Sequence, residues 1–506
     1  MISRLSLLLL SFRAFNGIFV ETYFDPDEYW QCLEVAHCLA FGKCHLTWEW
    51  QQGVRLRGFA HPFVFGMFYK VCAWLSLDSR DVIAYGPRVI GGLFAAIGDM
   101  AVYRLGYRLF GQRGGMLCLF CNVMNWFYFY TTVRTYSNSM EAVLTVVALS
   151  YWPMPNEKPL ARQRLLGLVF AALAVLVRPT AGLFWIYPGV SLLLGKTQSL
   201  RDRAYLVFGQ VLPVGIGCVV TMVLVDWYGY GEWTFVPYNF LKSNLLEGVS
   251  DEYGIHVRHW YFTECFPAII GTWLPFFVYG VVVGWRERSK VMFLAKFVVI
   301  GLCLLSVSAH KELRFALPLV PPASVVCGFG LYRSNLGTFR SKFYIAFSCL
   351  ANIAVAVFLS RYHQRGPIPL LEFLSASSSN ATFVDFYTRC HATPYWSHIH
   401  NTTITRMRFL DCSPNVKALE KIPSMSMSFR DGIEEEDLFF KSPRKFLLKR
   451  FSGENTELPS HMVFTTEKTS NEDLLFVQKE FNYAICKTFP HTFDVAYVVL
   501  CKNVIY

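Results

Sequence analysis

Residues 204–225 read AYLVFGQVLPVGIGCVVTMVLV, a run without one formal charge, entered from KTQSLRDR (196–203) and left at Asp226. An apolar helix of about 17–25 residues crosses a bilayer core. A run of this kind therefore reads as a membrane span, and its basic entry marks the cytoplasmic side. The rest of the chain has the same character. Of 506 residues, 54% are hydrophobic, 17% aromatic and only 16% charged, and mean hydropathy is +0.33. Soluble domains carry roughly 25% charged residues, so there is too little charge here to coat a soluble globule or to keep a chain disordered. Fifteen cysteines in this length are too sparse for a disulfide-built miniprotein. The net charge of +11 would suggest nucleic acid in a soluble protein. Here Lys and Arg cluster in short loops between apolar runs, with no zinc-finger, RNP-like or Arg-rich segment, so nucleic acid is set aside.

Loop charge orders the spans. Basic loops at 104–113 (RLGYRLFGQR), 157–164 (EKPLARQR), 196–203, 285–290 (WRERSK) and 333–342 (RSNLGTFRSK) are expected on the cytoplasmic face. An even number of crossings must separate each consecutive pair. Runs at 115–132 and 139–152, 165–177 and 182–194, 204–225 and 266–284, and 291–309 and 315–332 satisfy this, and 343–359 leads out to the lumen. The first run, 5–20, has the look of a signal peptide, but no small-residue cleavage site follows it. It is read as an uncleaved span behind a short cytoplasmic N-terminus. Parity allows one crossing between it and Arg104. Residues 87–103 are taken as that crossing, and 61–77, which carry Lys70, as an interfacial helix. The expectation is an α-helical polytopic membrane protein of about eleven spans, organised as a membrane domain over 1–360 and a luminal domain over 361–506.

Three luminal blocks follow, at 21–86, 227–265 and 361–506. The last has ordinary charge density and short strand-like runs (381–387, 461–465, 495–501), which predicts a small α/β domain. Both N-x-[ST] sequons, Asn380-Ala381-Thr382 and Asn401-Thr402-Thr403, fall in it and are glycosylation candidates in a lumen. Cys390 and Cys412 share the block; an oxidising lumen suits a disulfide between them, and two buried thiols are the alternative. Most other cysteines lie in spans, where they act as small hydrophobes.

Polar residues at luminal span ends carry the functional signal. The first block opens on Asp25-Pro26-Asp27-Glu28-Tyr29-Trp30-Gln31. Three carboxylates in four residues fit a solvated helix cap, a general base at the edge of a partly dry cavity, or a metal site. The last needs further hard ligands, and no second acidic cluster lies on a luminal loop. Trp48 and Glu49 within LTWEW (46–50) suit either a sugar face or the bilayer interface. Arg258 and His259, then His310, Lys311 and Arg314, are cationic or potentially so. They fit a phosphate or an interface anchor. GVSLLLGKT (189–197) has one residue too many for a phosphate-binding loop, and no H-E-x-x-H, G-x-S-x-G or spaced C-x-x-C pair occurs.

Pro26-Asp27-Glu28 after the first span, Arg178-Pro179-Thr180, and His310-Lys311-Glu312 before Arg314-Phe315 resemble the motifs of the GT-C glycosyltransferases of family 22, the ER α-mannosyltransferases that use dolichyl-phosphate mannose. Pro87-Arg88 ahead of a span ending at 104–108 is similar to the wider GT-C pattern. PDEYWQ (26–31), LTWEW, HQRG (363–366) and CHATPYWSHIH (390–400) resemble the members that add the third, α1,2-linked mannose to the GPI precursor glycolipid. The resemblance implies an inverting transfer at the luminal face of the ER membrane with dolichyl-phosphate mannose as donor substrate; no cofactor is expected and no metal ligand is assigned. It implies Asp27 as the base, Glu28 as an orienting or sugar-contacting group, and Arg258, His259, Lys311, Arg314 and His310 as cations for the dolichyl phosphate. The alternatives are another family 22 mannosyltransferase (N-glycan precursor or fourth GPI mannose), a transporter or flippase, and a non-catalytic subunit. A transporter would keep its ionisable groups near mid-membrane, whereas these gather on one face.

Overall fold

A computed structural model describes residues 4–155, 157, 160–195, 199–246, 254–376, 380–412, 435–453 and 456–502. Lys158 and Pro159 of one expected basic loop, and Lys196, Thr197 and Gln198 of another, lie outside the described residues. The chain divides into two compact units: Met1–Val20, Gly58–His61 and Pro87–Phe358 form the first, and Glu21–Arg57, Pro62–Gly86 and Leu359–Tyr506 the second.

The first unit is helical. Five helices among the described residues are long and apolar enough to cross a membrane: Arg80–Val123, Leu200–Tyr230, Tyr261–Arg286, Leu313–Arg333 and Phe339–Arg361. Shorter helices occupy Arg4–Phe19, Ser137–Tyr151, Ala161–Val177, Ile186–Leu193 and Val291–Leu305. Two expected spans are divided. Residues 115–132 break before Trp126, where Asn125 turns extended and its Oδ1 accepts from the Tyr128 N–H at 2.7 Å. Residues 182–194 open as a tight turn, Pro179–Trp185, and only then become the helix Ile186–Leu193. Arg178 precedes Pro179 and is extended (φ −147°, ψ 105°), as the proline ring requires. The basic stretch 104–113 sits inside Arg80–Val123, which bends at Gly111 with φ 75°, a backbone state nearly closed to other residues.

The buried arginine of the first helix is paired within this apolar unit. Arg13, an anomaly in an otherwise apolar first span, is fully buried and grips Asp99 with two bonds, Nε–Oδ2 at 2.7 Å and Nη2–Oδ1 at 3.0 Å. Asn16 accepts from Arg13 at 2.9 Å, Asn122 donates to Asp99 at 2.8 Å, and the guanidinium lies 5.1 Å from the Tyr128 ring. The helices carrying the pair run very close. A Cβ on Gly92 would lie 2.3 Å from the Arg13 carbonyl oxygen, and one on Gly17 2.4 Å from that of Arg88. Small residues permit such approach, and close backbones are what bind helices where water gives no drive.

The second unit is built on a mixed five-stranded sheet. Its strands are β1 (Phe383–Tyr387), β2 (Arg406–Phe409), β3 (His461–Thr465), β4 (Tyr483–Pro490) and β5 (Ala496–Lys502), in the order β2-β1-β3-β5-β4. β1 runs parallel to β2 and β3, and β5 antiparallel to β3 and β4. β1, β3 and β5 fall on the three runs expected from composition. β1 is buried throughout, including Asp385, which is paired with Arg408 and accepts from Tyr387 Oη at 2.7 Å. Helices Glu435–Lys441, Pro443–Arg450 and Asn471–Phe481 lay Phe439, Leu447, Leu474 and Val477 on Met462, Phe464, Val498 and Leu500. The unit is larger than the tail alone. The Glu21 N–H donates to the Ser360 carbonyl at 3.1 Å, Thr22 Oγ1 to Leu359 at 2.6 Å and the Tyr23 N–H to Gln364 at 3.0 Å. These bonds bring the block after the first helix together with the end of the last long helix and the chain that follows it.

Asp99→Leu is expected to cost ~3–5 kcal/mol, because it strands a buried guanidinium. Arg13→Met combined with Asp99→Leu should recover a large part of that loss. Thermal unfolding of detergent-purified protein measures both, and equal loss in the single and double variants would contradict the pairing argument.

Candidate functional site

In the second unit, the acidic block starts a helix. Asp27 and Glu28 are already helical, a wide turn over Tyr29–Leu33 follows, and Glu34–Phe41 completes the rod. Asp25 caps the start: its Oδ1 accepts from the Asp27 N–H at 2.9 Å, and its carbonyl from the Glu28 N–H. The three carboxylates therefore differ. Asp25 terminates the backbone, Glu28 is fully buried, and Asp27 is half-exposed at the first turn. Glu49 accepts from Arg57 Nε at 2.9 Å and from Gln31 Nε2 at 3.2 Å, which joins LTWEW to the same helix. Trp48 is buried beside it.

The segment Cys390–His400, whose sequence resembles the members that add the third mannose, packs along this helix. The Trp30 indole N–H donates to the Thr393 carbonyl at 3.0 Å, and the ring meets His391 and Tyr395 at 4.7 and 5.3 Å. Glu34, fully buried, accepts from the Tyr395 N–H at 3.0 Å, the Ser397 N–H at 3.2 Å and Ser397 Oγ at 2.6 Å. His37 meets His400 at 2.9 Å and the Lys43 carbonyl at 2.7 Å. Burial pushes the Glu34 carboxyl up to about 7 against the lowering pull of its donors. Burial also pushes the His37 and His391 imidazoles down to about 4.

Disulfides brace the unit. Cys390 and Cys412 are bonded, with Cα atoms 5.9 Å apart, and so are Cys38–Cys44 and Cys486–Cys501, which sequence reading left unpaired. Among the described residues one metal-type group of three occurs, Cys390, Cys412 and Glu436. Its sulfurs are joined to each other, and Glu436 accepts from the Cys390 N–H at 2.7 Å. A bonded sulfur pair offers no thiolate to a metal. Asn380 and Asn401 are exposed.

In the first unit, the expected cations gather around two strands of chain. The His256 N–H donates to the Ala309 carbonyl at 3.0 Å. The Lys311 ammonium is buried, donating to the carbonyls of His256 at 3.1 Å, Ala309 at 3.3 Å and Ser308. Arg314 and His310 both bind Glu312: Arg314 Nη2–Oε1 and His310 Nε2–Oε1 are each 2.9 Å. Burial would raise the Glu312 carboxyl, but Arg314 and His310 outweigh it and hold it well below the usual carboxylate range. The bond from Glu312 raises His310. Arg178 donates to Thr180 at 3.0 Å and Ser137 at 3.1 Å, lies 3.5 Å from the Glu141 carboxylate, and covers the Phe315 ring. Arg258 and His259 differ from the rest. Both are exposed, and His259 holds only the neighbouring turn through Thr263 at 3.1 Å.

Sequence reasoning singled out the cations here and missed Glu312 as their hub. It also missed Glu34, whose one signal is a lone carboxylate in the apolar run CLEVAHCLA.

The model of the Alg9-like mannosyltransferase family matches residues 5–400. The chain belongs to that family. It is a glycosyltransferase, and relatives match it nearly end to end. GPI alpha-1,2-mannosyltransferase 3 of Bos taurus is 36% identical, covering 91% of this chain and 81% of its own length. The Homo sapiens protein of the same name is 33% identical over 96% and 84%. Mannosyltransferase APTG1 of Arabidopsis thaliana is 33% identical over 93% and 86%. The fold is the GT-C fold of solved glycosyltransferases. ArnT from Cupriavidus metallidurans, bound to undecaprenyl phosphate, aligns at a TM-score of 0.62 with 11% identity, covering 99% of this chain and 98% of its own. The Archaeoglobus fulgidus oligosaccharyltransferase aligns at 0.52 with 12% identity, over 91% and 70%.

The shifted groups of this mannosyltransferase set a pH optimum for its stability. Glu34 lies at about 7 rather than 4.5, so its contribution is complete below 4.5 and lost as pH rises through about 7. His310, also raised, loses its share in the same direction. His37 and His391, near 4 rather than 6.5, contribute above 6.5 and lose it as pH falls towards 4. Melting temperature is therefore expected to fall from about pH 6.5 to 8, and to fall less in Glu34→Gln. A thermal-shift series in detergent measures this; parallel curves for the two proteins would contradict it.

Proposed function

We propose that this chain transfers the third, α1,2-linked mannose from dolichyl-phosphate mannose to the GPI precursor glycolipid at the luminal face of the ER membrane. The observation that carries the proposal is the 33–36% identity, over more than nine-tenths of the chain, to relatives named for GPI α-1,2-mannose transfer. The donor carries a β-linked sugar and the product is α, so one displacement with inversion suffices. The acceptor hydroxyl oxygen attacks the anomeric carbon as the bond to the phosphate oxygen breaks. Dolichyl phosphate leaves with the electron pair, and the hydroxyl proton passes to a carboxylate.

Asp27 is the base in this reading. Its half-exposed place on the first helical turn lets it meet an acceptor, while Asp25, equally half-exposed, accepts the Asp27 N–H and caps the turn. Glu28, buried beside it, orients the helix start. The leaving phosphate is already a stabilised anion and needs cations more than an acid. Arg258 and His259 are the exposed pair suited to contact it. Lys311, Arg314 and His310 build the turn that carries the local positive charge. Glu49 and Trp48 bound the sugar side. The chemistry uses no cofactor and no metal. About eleven crossings, a cytoplasmic N-terminus and a luminal domain over 361–506 complete the reading.

Asp27→Asn, expressed in cells lacking the native enzyme, should cause a two-mannose GPI lipid to accumulate and GPI-anchored proteins to vanish from the surface. Full rescue would remove Asp27 from the mechanism, and a truncated N-glycan lipid would move the acceptor to another pathway. Separately, glycosidase treatment should shift the protein's mobility, and Asn380→Gln with Asn401→Gln should abolish that shift. An unshifted parent protein would place the tail outside the lumen.

A further inference from the structure

Asp27 sits on a helix whose orientation is set by a part of the chain more than three hundred positions away. Trp30, Glu34 and His37 follow one another at helical spacing on one face, and each bonds a residue of the 390–400 segment. The end contacts are single: one indole N–H to the Thr393 carbonyl and one imidazole to His400. Glu34 alone gathers several donors. One carboxylate oxygen takes the Tyr395 N–H, the Ser397 N–H and Ser397 Oγ, and the other takes the Ser397 N–H at 3.4 Å. Ser397 Oγ is itself held by His398 Nδ1 at 2.9 Å. A ring of apolar contacts would tolerate a small rotation of the helix. A planar carboxyl bound from three donors resists both rotation and sliding, because any such motion breaks several bonds in a dry interior.

We propose that Glu34 is a positioning residue for the transfer reaction, holding the helix that carries Asp27 at the angle and height the base requires by gripping the backbone of Tyr395 and Ser397. The proposal rests on the reading of Asp27 as the base. It gives the CHATPYWSHIH stretch a mechanical task, that of fixing the helix that carries Asp27. A misplacement of about 1 Å at a reacting group costs on the order of 10²-fold in rate, so the grip should register in turnover. Burial raises the Glu34 carboxyl towards neutrality, which makes the neutral Gln a close substitute that keeps the accepting oxygen.

The test uses the full-length enzyme in detergent or nanodiscs, with dolichyl-phosphate mannose and a two-mannose GPI lipid. Turnover is expressed per folded molecule. Glu34→Leu should lower kcat by about 10- to 100-fold, with KM for both lipids within about twofold, because a displaced base slows chemistry without weakening ground-state binding. Glu34→Gln should recover most of kcat. Ser397→Ala, which removes the 2.6 Å bond to Glu34 together with the 2.9 Å bond to His398, should lower kcat several-fold and serves where the leucine variant fails to fold. Unchanged kcat per folded molecule in Ser397→Ala and in the folded fraction of Glu34→Leu would overturn the proposal, as would a rise in acceptor KM with kcat intact. Asp27→Asn in the same assay separates the two readings. If it is inactive while Glu34→Leu turns over normally, only the positioning role fails. If it is fully active, the base assignment fails, and the positioning role with it.

Discussion

Arg13 has no water to fall back on. A guanidinium buried among apolar helices persists only if a carboxylate meets it, and the bidentate bond to Asp99 does so across 86 positions of sequence. The same constraint recurs at each depth of the molecule. Glu312 is matched by Arg314 and His310, Glu141 by Arg178, and Asp385 by Arg408. The Arg13–Asp99, Arg178–Glu141 and Arg408–Asp385 pairs tie together segments that hydrophobic packing alone would leave free to slide, whereas Glu312 is matched within its own turn. In a chain this apolar, van der Waals contact is available in many registers. The charge pairs select one.

The second unit applies the rule with a neutral-leaning carboxyl. Glu34 is surrounded by backbone donors and one hydroxyl rather than by a cation. The disulfide between Cys390 and Cys412 holds one end of the segment that supplies those donors. Strand β1 and its partner Arg408 form the floor beneath it, with Phe386 against Tyr395. The helix that opens at Asp27 is thus bonded along one face to that segment.

Particular residues show what was legible in advance. The long apolar runs, the strands at β1, β3 and β5 and the helix start at Asp25-Pro26-Asp27 were readable because each depends on local pattern: run length, alternation, a capping side chain before a turn. The break at Asn125 and the tight turn that takes up the start of the run 182–194 escaped notice, whereas the stop at Val177 before Arg178-Pro179-Thr180 was read. Hydropathy reports how apolar a run is and does not register an asparagine that caps a new helix. The cations of the 310–314 turn were named correctly as charges, yet their partners were not. Lys311 spends its donors on carbonyls of a separate loop, and nothing in the string of letters says which carbonyls will be near.

The sequence by itself determined the membrane character and the membership of the Alg9-like mannosyltransferase family, because composition, run length and motif spacing are properties of neighbours along the chain. Tertiary structure alone decided that residues 21–57 and 62–86 belong with the tail, that Glu34 grips Ser397, and that Glu312 rather than a lysine is the hub of its turn. Those outcomes rest on which polar groups find each other when water is removed, and for the first two that choice is made among residues hundreds of positions apart.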